Sequence, residues 1–170
     1  RHPLAASQGG GREVKPGFQF VALRSEQFEP LWRRSDAELE ALGMRRMIVD
    51  EKPGFPCRVS LADAEVGETV LLLPFVHHDV PSPYRASGPI FVRRGARTAN
   101  PAVDGIPEMF RHRLLSIRAY DGEAMMVVAE VVKGSELEEA IQRLFANESV
   151  SYLHIHNAQP GCYNCSVVRA

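Results

Sequence analysis

Two β-rich segments, SIRAY (116–120) and AMMVVAEVV (124–132), flank Asp121-Gly122. Tight hairpins favour that dipeptide because it tolerates positive φ. The register stays open, since Glu123 can also belong to the loop. The remaining chain adds further strand signals. FQFVALR (18–24) alternates, and MIVD (47–50) and CRVSL (57–61) read as short strands around the EKPGFP turn. TVLLLPFV (69–76) is a continuous apolar run suited to a central strand covered on both faces. PIFVRR (89–94) is another strand, after the long connection HHDVPSPYRASG. At the end, VSYLHIHN (150–157) and YNCSVV (163–168) are strands joined by AQPGC.

Helical signals are fewer. Ser35 and Glu38 form a capping-box pattern, with Leu39 and Leu42 as the apolar stripe and Gly43 as the stop. Pro107 predicts a helix to about Arg113. A second capping-box pattern, Ser135 with Glu138, precedes a stripe of Leu137, Ile141, Leu144 and Phe145. Strands outnumber helices and do not alternate with them. The expected fold is therefore α+β, with a largely antiparallel sheet of seven or eight strands and two or three short helices.

The 170 residues suit one domain, read as 18–170 after a Gly-rich flexible tail over 1–17. A net charge of -1 removes the electrostatic footprint expected for nucleic acid or an anionic membrane. No apolar run reaches the roughly 18 residues of a membrane span. Three cysteines and no signal-peptide apolar stretch point to a reducing cytoplasm. No Walker loop, G-x-G-x-x-G, H-E-x-x-H or G-x-S-x-G motif occurs.

Chemistry is concentrated in a few motifs. Alternation in the penultimate strand puts Tyr152, His154 and His156 on one face and Leu153 and Ile155 on the other. Two imidazoles so spaced can converge on a metal, a phosphate or a scissile group. Cys57, a candidate nucleophile, sits beside Arg58 in a Pro-flanked turn, and His154 or His156 can serve as its base. Asn157 can orient that base, although alternation sends it to the opposite face. Arg58 and Arg85 are candidate anion anchors. In the loop 77–89, Tyr84 and Arg85 are binding candidates, whereas His77, His78 and Asp79 read as a solvated crossover. Cys162-x-x-Cys165 is a lone C-x-x-C pair in a turn entering a strand. A mixed metal site from His154, His156 and Cys162, with Cys165 as a fourth donor, is the alternative to a site with no metal and no cofactor.

EKPGFPCRVSLADAEVGE (51–68), SPYRASGPIFVRR (82–94), LLSIRAYD (114–121) and YLHIHNAQPGCY (152–163) together resemble the bacterial domain of unknown function 1203 family. The resemblance implies a small cytoplasmic protein without an assigned activity. Its pattern picks out Cys57, Arg58, Tyr84, Arg85, His154, His156, Asn157, Cys162 and Tyr163. Cys165 departs from it, which shifts attention from the C-x-x-C pair to Cys162 together with Cys57. The resulting expectation is a small enzyme or ligand-binding protein for an anionic small molecule. Its catalytic candidates are Cys57, His154 and His156, and its ligand-binding candidates are Arg58, Tyr84, Arg85, Asn157, Cys162 and Tyr163. A metal- or thiol-based sensor and a structural or partner-binding module are the alternatives. An uncovered sheet edge or face leaves room for a homo-oligomer.

Overall fold

A computed structural model describes residues 14–170. The tail expected over 1–17 lies, as far as position 13, outside the described residues. Eight strands form two antiparallel sheets: β1 (Phe18–Val21), β2 (Arg45–Ile48), β3 (Thr69–His78), β4 (Ala86–Arg93), β5 (Leu114–Tyr120), β6 (Met126–Lys133), β7 (Tyr152–Asn157) and β8 (Tyr163–Arg169). Five of them make a sheet of order β1-β8-β7-β5-β6, and three make a second of order β2-β3-β4. The α+β class and the antiparallel pairing are those expected, with the strands divided between two sheets.

Each sheet has its own core. Helix α2 (Leu137–Phe145) buries Leu137, Ala140, Ile141, Leu144 and Phe145 in one cluster with Leu115, Ile117, Leu153, Ile155 and Val167 of the five-stranded sheet. Leu39, from helix α1 (Asp36–Ala41), joins Phe28, Cys57, Val59, Leu71, Leu73, Ile90 and Val92 in the second cluster. One face of the larger sheet is thus consumed by α2. The other carries the polar residues of β5, β7 and β8.

Several local expectations are corrected. CRVSL is not a strand: Pro56 and Cys57 make only isolated bridges, and the chain turns through Leu61 at φ 51°. The helix expected from Pro107 shrinks to a 3-10 turn, Glu108–Phe110. The box at Ser35 forms, but the one at Ser135 does not, because a 3-10 turn over Gly134–Glu136 moves the start of α2 to Leu137. That turn lies hard against the preceding loop, so a Cβ on Gly134 would fall 1.7 Å from the Phe110 carbonyl oxygen. The β5–β6 turn does not use Gly122 for positive φ. Ala124 takes that conformation, and the Asp121 carboxylate accepts the Glu123 and Met125 amides.

One difference decides the site. β3 does not stop at the end of its apolar run but pairs onward, through an irregularity between Phe75 and His78, as far as His78↔Ala86. His77 and His78 are therefore strand residues rather than a solvated crossover. His78 is buried and His77 half-buried.

Candidate functional site

The polar face of the larger sheet is laid out by register. Across it, Ser166, His154 and Arg118 form one row, while Tyr163, His156 and Ser116 form the next. Tyr152 and Tyr120 make a third row and stack with ring centroids 5.2 Å apart. The alternation read from YLHIHN is correct, since Leu153 and Ile155 point into the α2 core while the histidines line the opposite face.

The three-stranded sheet delivers His77 and His78 onto this face. The Tyr163 ring stacks on His77 at 5.0 Å and 6°. Ring nitrogens of His77, His154 and His156 all lie within 4.8 Å of one another. Ligands about 2.05 Å from a tetrahedral ion sit about 3.3 Å apart, so side-chain adjustments of roughly an ångström close the set on one metal. Among the described residues, four buried polar side-chain atoms lack a hydrogen-bond partner. Three of them are His77 Nδ1, His154 Nδ1 and His156 Nε2. An unpartnered buried nitrogen carries a desolvation cost that a bound ion removes.

The protonation pattern suits a cation. A carbonyl oxygen only accepts, so His156 Nδ1–H donates to Gly161 at 2.9 Å and leaves Nε2 with its lone pair. Ligating histidines are commonly oriented in this way. Burial lowers the three pKa values, to about 4 for His77, about 3 for His154 and about 4 for His156. Arg118 adds to all three shifts. The rings are consequently neutral at pH 7, the form that binds metal.

His78 stands beside the triad without belonging to it. Its Nδ1–H donates to the Tyr84 carbonyl at 2.8 Å, and its Nε2 then accepts the Tyr152 hydroxyl at 2.6 Å. Both nitrogens are satisfied, so this ring braces β3 against β7. Sequence reasoning missed His77 and His78 because the apolar run that marks β3 ends at Val76.

The other nominated residues lie as follows. Cys57 is fully buried, and its sulfur accepts the backbone amides of Ser60 and Arg93 rather than facing an imidazole. Arg58 is also buried, donating to the Tyr163 carbonyl at 2.7 Å and the Pro56 carbonyl at 2.5 Å. It bolts the 53–61 turn to β8. Arg85 pairs with Asp79 at the surface, and Tyr84 contributes its backbone carbonyl to His78. Asn157 accepts the Asn164 side-chain amide at 2.9 Å and borders a cleft of about 400 Å³ with Arg113 and Pro160. Cys162 is half-buried at the AQPGC turn, and the close donor set holds His77 in the place considered for it. Cys165 is enclosed in the α2 core, where burial pushes its thiol pKa up. Tyr163 is brought against the triad, within 5.1 Å of the His154 ring.

A family model described as a protein of unknown function (DUF1203) matches residues 54–169, a span that contains the whole triad. No curated protein and no solved structure matches the chain.

Proposed function

The chain belongs to the DUF1203 family of proteins of unknown function, and from its own geometry we propose that it is a metalloprotein with a mononuclear His77–His154–His156 centre. The observation that carries this reading is the coincidence of two independent features in the same residues. They are mutual approach within 4.8 Å and one unpartnered buried nitrogen per ring. Three imidazoles suit zinc, iron, nickel or copper better than calcium or magnesium. Three protein ligands also leave a fourth position for water or a small ligand, as catalytic zinc sites do and closed structural ones do not. An ion held there supplies Lewis acidity and lowers the pKa of a bound water. The reading is therefore a small metal-dependent enzyme. It gives His154 and His156 the role of ligands instead of acid–base groups, and it leaves Cys57 in the core.

The test is metal content. Protein exposed to zinc and then dialysed is expected to retain one ion per chain. His77→Ala, His154→Ala and His156→Ala are each expected to weaken zinc binding at least tenfold while keeping the native circular dichroism spectrum. Wild-type protein that keeps no stoichiometric metal overturns the reading.

A further inference from the structure

The surroundings of the triad are one-sided in charge. Arg118 stands directly opposite His154 in the β5–β7 ladder, on the same face and one strand away. Directly opposite residues have Cβ atoms about 4.5–5.5 Å apart, within easy reach of a guanidinium. Arg118 bears on all three triad rings, and buried Arg58 bears on His156. Among the described residues Arg118 has no carboxylate ion-pair partner, whereas Arg46, Arg93, Arg113 and Arg143 all have one. Asp121, which bears on Tyr152, is engaged by the amides of its own turn.

Three neutral imidazoles cancel none of the charge on a divalent ion. A filled centre therefore holds two positive charges beside the fixed positive charge of Arg118, in a partly desolvated place. Such a site is completed by an anion.

Resting on the metal-centre reading, we propose that the open coordination position takes the oxyanion group of a small molecule, a carboxylate or a phosphate, clamped between the metal and the Arg118 guanidinium. A planar fork of N–H donors matches two oxygens of either group. Ser116 and Ser166, half-buried on the same face beside His156 and His154, add hydroxyls at its edge. Arg58 and Arg85, the anchors expected from the sequence, are engaged with carbonyls and with Asp79. Arg118 takes over their part.

The experiment loads the full chain with cobalt(II) as a spectroscopic substitute for zinc. Wild type, Arg118→Gln and Arg118→Lys are then titrated separately with acetate, inorganic phosphate and neutral imidazole. Expected are one cobalt per chain in all three proteins and a change in the visible d–d bands with acetate or phosphate. Affinity for that anion should fall at least tenfold in Arg118→Gln and less in Arg118→Lys, with imidazole binding unchanged. The stronger of the two anion responses identifies the group. Should Arg118→Gln fail to take up cobalt, the comparison is carried by Arg118→Lys, whose single-point ammonium still weakens a bidentate clamp. Cobalt bound at one per chain with no anion response, or with anion affinity equal in the variants, overturns this inference and leaves the metal centre standing. Wild-type protein that binds no cobalt removes both.

Discussion

His154 and His156 were legible as a pair because side chains alternate along a strand, and no other feature was needed. Their neutrality was not legible, since it arises from what covers them. In the metal-free protein the triad rings hold pKa values of about 3 to 4, while a histidine in the unfolded chain titrates near 6.5. Between these limits the unfolded state binds more protons than the folded one. Stability is therefore complete above about pH 6.5 and declines as the pH falls towards 4. Thermal melts of chelator-treated protein between pH 8 and 4 should show this decline, and His154→Asn should flatten it. Melting temperatures independent of pH over that range, or equal slopes in the two proteins, contradict the assignment.

At the scale of elements, the two capping patterns look alike in the sequence and behave differently in the fold. Ser35 accepts the Glu38 amide at 3.1 Å, and the reciprocal bond from the Ser35 amide to the Glu38 carboxylate is also present. Ser135 lies inside a 3-10 turn, and α2 has no side-chain cap. Ser35→Ala should accordingly cost about 1 kcal/mol, whereas Ser135→Ala should change stability by less than about 0.5 kcal/mol. Denaturant unfolding of both variants checks the contrast, and equal losses would refute it. A capping box is a local pattern that neighbouring backbone can override. Here the override is the close seat of Gly134 against Phe110. CRVSL failed for a related reason: Arg58 in that turn is held by the carbonyls of Pro56 and Tyr163, and no full ladder pairs the segment.

For the whole molecule, the proposed centre would draw its ligands from both sheets, His77 from the smaller and His154 and His156 from the larger. An ion bound there would fasten the two sheets together and stabilise the folded state by mass action. Free zinc at about 100 times its dissociation constant adds about 2.7 kcal/mol. For a chain of this length that is roughly 5–10 °C in Tm. Calorimetry should record the increase in wild type and its absence in His77→Ala. A rise of the same size in both would show that zinc acts elsewhere. None of the described helices is long and apolar enough to cross a membrane.

What the sequence determined by itself is what depends on neighbours along the chain. The α+β class, most of the strands, the buried stripe of α2 and the shared face of Tyr152, His154 and His156 all follow from periodicities of 2 and 3.6. Tertiary structure decided what depends on residues far apart. The sequence separation between His77 and His154 is invisible to any local pattern, and only the meeting of β3 with β7 brings their rings together. Packing also leaves Arg118, among the described residues, without a carboxylate ion-pair partner, and it turns Arg58 inward to the carbonyls of Pro56 and Tyr163. Hydrophobic periodicity reports which face of an element is buried, but which elements then face one another is settled by packing.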